Sequence, residues 1–157
     1  MDIKKAIQQK RPFRNAHHQA MVNLLFTNNW TRDHIKSIFK PFGITAQQYN
    51  VLRIINGAQG PISTLTIRER LLDKMADTSR LVDRLFQKDL VTRTENKKDK
   101  RLVDVSLTED GKTLMQKLEK ITPKLDQVYN NLTEEEAEIL SKLLDKIRQP
   151  QPITNNE

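Results

Sequence analysis

The sequence predicts a mainly α-helical chain that carries one small β-hairpin. Three observations point there. Only four glycines interrupt 157 residues. Several apolar runs open with a hydroxyl residue followed three positions later by Gln or Glu. The apolar period drops from helical to two in a single stretch near residue 103. This length builds a core without disulfide or metal staples, so one domain is expected over residues 1–157.

The elements follow in order. Residues 1–14 are polar and basic, with Lys4, Lys5, Lys10, Arg11 and Arg14, and Pro12 delays any helix, so they read as a flexible basic arm. A first helix runs from about Ala16 to Phe39 and stops before Pro41 and Gly43. Capping boxes at Thr45 with Gln48, Thr66 with Glu69 and Thr133 with Glu136 open three more helices. These extend from Thr45 to about Asn56, ended by Gly57, from Thr66 to about Leu72, and from Thr133 to about Arg148. Asp77 serves as N-cap of a helix to about Lys88, with Leu81, Val82, Leu85 and Phe86 facing inward. Val103, Val105 and Leu107 then alternate with Leu102, Asp104 and Ser106, the mark of a strand with one buried face. Leu90 to Glu95 supplies its partner, and Asn96 to Arg101 forms a charged tip. Thr108 caps a long helix with a heptad seam of Leu114, Leu118, Ile121, Leu125, Val128 and Leu132, which Pro123 should kink near Glu119. The tail over 149–157 reads as disordered.

Composition narrows the function classes. With no cysteine the chain has no disulfide, thiol nucleophile, thiolate metal site or thiol-based oxidant sensor. No secretory signal or membrane-length apolar run is visible, so a soluble cytoplasmic protein without membrane attachment is expected. The net charge of +7 is spread unevenly: residues 1–60 carry +7, residues 61–107 carry +3, and residues 108–157 carry −3. A basic front and an acidic rear suit a protein that turns one side to a polyanion.

Two helices with a tight connection followed by a β-hairpin form the winged helix-turn-helix plan, whose second helix enters the major groove of duplex DNA. At specific positions the chain also resembles a known family. Thr78-Ser79-Arg80-Leu81-Val82-Asp83-Arg84-Leu85 is similar to the recognition helix of MarR-type transcription regulators, and Lys88-Asp89-Leu90-Val91-Thr92-Arg93 to its exit into the wing. Asp99-x-Arg101, five residues, then Leu107-Thr108-x-x-Gly111 resembles the wing signature of that family, spacing included. The chain departs from the pattern at Asp89, where the family usually has glycine at a left-handed position; Asp tolerates that conformation better than most residues. The connection Leu72 to Asp77 is also unusual.

The resemblance implies a homodimer that binds a palindromic operator in double-stranded DNA and responds to a ligand, most often as a repressor. Its organisation would be a first dimerisation segment over 16–44, a DNA-binding region over 45–107 and C-terminal dimerisation helices over 108–148. Thr78, Ser79 and Arg80 open the recognition helix, where side chains reach base edges, and Arg84 lies one turn beyond Arg80. On an arbitrary helix Arg80 and Arg84 would be solvated charges paired with Asp77 and Asp83; beside the wing motif they read as DNA contacts. Lys97, Lys98, Lys100 and Arg101 crowd a turn that a structural hairpin could fill with Asn and Gly, and an arginine there can enter a narrow minor groove. By analogy with the family, Asp99 positions Arg101.

Part of the heptad seam must serve the chain's own core. Yet Leu114, Leu118, Ile121, Leu125 and Val128, together with Ile139, Leu140, Leu143, Leu144 and Ile147 of the last helix, are assigned largely to a two-fold interface, along with the first helix. The stripe of the first helix is broken at Thr27, Asn28 and Thr31. Family members bind small aromatic acids or phenols between dimerisation and reading regions, so Thr27, Trp30 and Thr31 are candidates to line an effector pocket, with a solvated helical turn as the other reading. His17, His18 and His34 lack a metal-ligand spacing, and neither metal nor cofactor is implied. No phosphate loop, nucleophile elbow or zinc-protease motif suggests an enzyme. The remaining alternative is a winged-helix protein-interaction module without DNA binding, which calls for an apolar or acidic recognition face.

Overall fold

The computed structural model describes residues 2–58, 60–96, 99 and 102–150. Its first element departs from the arm expected over 1–14: Ile3–Ala6 forms a helical turn, α1, capped by Asp2, with Ile3 buried. Helix α2, Ala16–Phe39, starts where Asn15 accepts the His18 amide. It ends where Pro41 tightens the chain into a 3-10 turn over Lys40–Phe42, and Gly43 at φ 66° releases it.

Helix α3, Ala46–Asn56, has both halves of its capping box: Gln48 N–H donates to Thr45 Oγ1 and Thr45 N–H donates to Gln48 Oε1. Val51, Leu52 and Ile55 of α3 lie in the middle of the core. A strand absent from the sequence reading follows, β1 at Ile62–Ser63. Helix α4, Thr64–Arg70, begins two residues before the box at Thr66 and Glu69 would place it. Ser63 Oγ accepts the Thr66 amide at 3.1 Å, so Ser63 is the cap and Thr66 lies inside the first turn.

Helix α5, Thr78–Phe86, is capped by Asp77 as expected and packs against α3 and α4. It ends two residues earlier than expected, and Asp89 turns the chain at φ 55°. Strands β2, Val91–Glu95, and β3, Val103–Leu107, pair antiparallel from Val91 opposite Leu107 to Glu95 opposite Val103. β1 joins the other edge of β3, so the sheet order is β1-β3-β2. Val105 of β3 is fully buried, whereas Val103, expected to share its buried face, is exposed at the tip end of the hairpin, opposite Glu95.

Helix α6, Glu109–Glu119, opens with Thr108 accepting the Gly111 amide. The expected kink is a full break. The chain turns at Lys120 and Ile121 and restarts as α7, Thr122–Asp126, with Pro123 in its first turn. Proline at the helix start loses no hydrogen bond, whereas in mid-helix it would remove one and crowd the carbonyl four residues back. A 3-10 turn over Gln127–Tyr129 leads to α8, Glu134–Ile147, with the capping box of Thr133 and Glu136. The disordered tail expected over 149–157 lies, from residue 151 onward, outside the described residues.

This break reassigns the heptad seam. Leu118 is fully buried in the chain's own core, and Leu114, Ile121 and Leu125 pack against that core, so Leu118 has no surface to offer a partner. Val128 is half-buried. On α8, Ile139, Leu140, Leu143 and Ile147 are exposed and Leu144 is half-buried.

Gly111 marks the tightest junction. A Cβ there would stand 2.1 Å from the Leu90 carbonyl oxygen and 3.1 Å from its carbon, both backbone atoms that cannot swing aside. Gly111→Ala should therefore cost on the order of 3 kcal/mol, the upper range for overpacking. Gly60→Ala, with nothing within 4 Å of the added carbon, should change stability by less than about 0.5 kcal/mol. Urea unfolding of the two variants checks this; equal stabilities would contradict the junction.

Candidate nucleic-acid interface

Helix α5 divides its residues between two media. Leu81, Val82 and Leu85 are buried, while Ser79, Arg80, Asp83 and Arg84 are exposed. Thr78 departs from its expected place among the outward residues. It is only 7% exposed, and its Oγ1 is enclosed without a hydrogen-bond partner among the described residues, so it belongs to the inner face. Of the α5 residues expected to touch DNA, Ser79, Arg80 and Arg84 face outward.

Arg80 Nε lies 3.2 Å from Asp77 Oδ2, with both side chains largely in solvent. Such a solvent-exposed pair contributes little to stability. Asp83 does not pair with Arg84; it takes Arg93 of β2 in a short ion pair, and the Arg93 guanidinium carbon sits 4.1 Å above the Phe86 ring. Phe86 is accordingly exposed rather than inward. Five residues beyond Leu81 it points about 140° away around the helix. Sequence reasoning passed over Arg93 as a positioning residue, although its offset from an aromatic and an acid on the preceding helix was a usable signal.

In the wing, Asn96 organises the approach to the tip. Its side-chain amide donates to Asp104 Oδ1 at 2.7 Å, and its Oδ1 accepts the Asp99 amide at 2.8 Å. The Leu102 amide donates to the Asp99 carbonyl at 2.9 Å. Lys97, Lys98, Lys100 and Arg101 lie outside the described residues, and with them the pairing of Asp99 with Arg101.

The residues expected to line an effector pocket, Thr27, Trp30 and Thr31, stand apart from the main cleft of the domain. An open cleft of about 1150 Å³ lies between the second half of α2, the turn after it, the start of α3 and the end of α5. Its lining includes Arg32, Asp33, Lys36, Lys40, Arg84 and Lys88, and not Thr27, Trp30 or Thr31. Trp30 stacks on His34 at 4.0 Å between ring centroids, and the Nδ1 tautomer of His34 donates to the Trp30 carbonyl at 2.8 Å. Thr31 shares a 2.8 Å hydrogen bond with the Tyr129 hydroxyl. Lys88 Nζ donates to the Gly43 carbonyl, which ties the end of α5 to the turn below α2.

Arg93 therefore holds β2 to α5. Arg93→Ala should lower stability by roughly 1 kcal/mol, the combined size of one half-exposed ion pair and one cation–π contact. It should also speed amide hydrogen exchange over 91–95 while leaving α3 unchanged, and Arg93→Lys should restore only part of the protection. Uniform exchange changes across the domain would count against this local tie.

Residues 44–103 match the model of the MarR family. The chain is 33% identical to the Multiple antibiotic resistance protein MarR of Salmonella typhimurium over 128 residues, covering 79% of this chain and 88% of that protein. It is 39% identical to the HTH-type transcriptional repressor MdtR of Bacillus subtilis over 69 residues, 44% of each chain. Among solved structures, a mutant MarR from E. coli complexed with operator DNA superposes with a TM-score of 0.73 at 30% identity, covering 80% of this chain and 91% of that one. With the helix order, the three-stranded wing sheet and these likenesses together, the chain belongs to the MarR family of winged-helix transcriptional regulators, proteins that control genes rather than catalyse reactions.

Proposed function

We propose that this protein binds a palindromic operator in double-stranded DNA as a homodimer, using α5 in the major groove and the wing on the adjacent backbone and minor groove, and acts as a ligand-responsive repressor. The observation that carries the reading is the division of α5: an inner face fixed in the core and an outer face presenting Ser79, Arg80 and Arg84. Arginine grips guanine at two acceptors at once, which suits base readout. The operator-bound relative supports the same use of the fold. A winged-helix module specialised for protein partners would present an apolar or acidic face here, and this face is cationic.

The homodimer draws support from both ends of the chain. On α2, Met21, Leu24, Leu25, Phe26 and Trp30 are exposed, and on α8, Ile139, Leu140, Leu143 and Ile147 are exposed. Two helices that each hold an apolar face in water are the expected appearance of half an interface. An isologous dimer carries two reading heads related by a two-fold axis, and such a pair reads a palindrome. The cations lining the cleft, Arg32, Lys36, Lys40, Arg84 and Lys88, favour a small aromatic acid or phenolate as the effector. An occupant there would touch both α2 and the end of α5, and so could act on the position of the helix proposed to read DNA.

Two measurements test this reading. On a duplex selected from a random pool, Arg80→Ala should weaken binding by about 1–3 kcal/mol and random duplex much less, because a base contact carries sequence information. Lys97→Ala or Lys98→Ala should weaken both duplexes alike and reduce the salt slope by roughly one per phosphate contact. If Arg80→Ala left affinity and selectivity untouched, the interaction-module reading would replace this one. In sedimentation at micromolar concentration the chain should run at about twice its 18.3 kDa mass, and Leu143→Asp should shift it to the monomer. A wild-type monomer would overturn the dimer.

A further inference from the structure

The connection between α4 and α5 holds two apolar side chains in water. Leu72 is 83% exposed and Met75 is 94% exposed, whereas the neighbouring Leu71 is buried. Their exposure is built in by the backbone around them. The Leu72 amide donates to Oδ1 of the buried Asn50 at 3.2 Å. Asp73 accepts the Met75 amide on Oδ1 at 3.0 Å and the Gln47 side-chain amide on Oδ2 at 2.9 Å. The Ala76 amide donates to the Asp73 carbonyl at 3.3 Å, and Lys74 Nζ reaches the Glu69 carbonyl. Two residues of α3 thus fix the connection from below, and Leu72 and Met75 project from its outer side.

What could cover these groups is restricted by their surroundings. Met75 stands two residues before the N-cap of α5, so along the chain the pair immediately precedes the helix that carries Ser79 and Arg80. Along the chain the pair is flanked by exposed Arg70, Lys74 and Arg80 and by exposed Glu69, Asp73 and Asp77. Asp73 is engaged in bonds to Gln47 and the Met75 amide, and Asp77 caps α5 and pairs with Arg80. An apolar pair set just ahead of a helix whose outer face carries Arg80 and Arg84 fits a polyanion with apolar points on it. The major-groove edge of DNA has one such point per A·T pair, the C5-methyl of thymine. The exposed apolar faces suited to a second copy lie elsewhere, on α2 and α8.

We infer that Leu72 and Met75 are specificity-determining residues that read thymine methyl groups beside the base pairs addressed by Ser79 and Arg80. This rests on the DNA-binding reading proposed above, and it adds a second code to it: hydrogen bonds from α5 and apolar contacts from the connection ahead of it. A site recognised this way is distinguished from one with uracil at the same step by the absence of a methyl alone, without loss of any hydrogen bond.

The test replaces each thymine of the selected duplex by deoxyuridine, which keeps base pairing and removes only the methyl, and measures binding of the full chain by fluorescence anisotropy. At one or more positions wild-type affinity should fall about fourfold, the size of one buried methyl-sized group. Leu72→Ser or Met75→Ser should weaken binding to the thymine duplex by a similar factor and abolish the thymine-to-uracil difference at the matching position. Salt slope, random-duplex affinity and thermal unfolding should stay as in wild type, since both side chains are outside the core. The inference is overturned if no deoxyuridine matters, if the difference persists in both variants, or if the variants change sedimentation instead, which would mark a contact between copies. In the first two cases retained preference for the selected duplex would leave the DNA-binding reading standing; absence of any preferred duplex would remove both.

Discussion

Nine residues of α5 must satisfy a dry core on one side and water on the other, and the geometry of the whole reading head depends on how firmly the dry side is held. Leu81, Val82 and Leu85 enter the same core as Val51, Leu52 and Ile55 of α3, Ile67 of α4 and Val91 of β2. A helix this short gains little from its own hydrogen bonds, so its direction is set by this packing and by the Asp77 cap. The outer residues are held more loosely, Asp83 by Arg93 and Arg80 by a solvent-exposed pair with Asp77, so Arg80 is aimed chiefly by the fixed inner side of its helix.

The exit from α5 explains why the wing motif has its spacing. Leu90 is the point where three elements meet: its carbonyl accepts the Thr108 amide, the Asp89 carbonyl accepts the Thr108 hydroxyl, and Gly111 passes against the same carbonyl with no side chain. Threonine is needed both to cap α6 and to bond back to residue 89, and glycine is needed three positions later to admit the backbone of residue 90. Asp89 accepts the left-handed turn that the helix end imposes, at φ 55°. Sequence spacing here is a record of one crowded backbone crossing.

Elements with chemistry local to a few residues were legible in the sequence. The boxes of Thr45 and Thr133, the Asp77 cap and the Gly57 stop need only their own neighbours. What was missed depends on distant partners or on competition between equivalent groups. β1 is two residues long and exists because β3 lies beside it. Ser63 and Thr66 both offer a hydroxyl at the head of α4, and only the path of β1 decides that Ser63 caps it. The seam from Leu114 to Leu125 has the spacing of an interface, yet the break before Pro123 folds it onto the domain's own core. In the recognition set, periodicity gave Arg80 and Arg84 their outward place but could not tell that Thr78 at the first turn is enclosed. The cleft combines α2, α3 and α5, and no local pattern reports a space between three helices.

The pairing of Ile62 with Val105 also has a bearing on how the chain is made. β3 is the central strand of the sheet, yet it is the last of the three to leave the ribosome, about forty residues after β1. During the few seconds of synthesis that separate them, α3, α4 and α5 can gather on their apolar faces, but neither outer strand has anything to pair with. The two strands that wait are short or polar on their exposed side, which gives passing chains little to bind. Arrival of residues 103–107 closes both ladders in one step, so the reading head is assembled late and all at once.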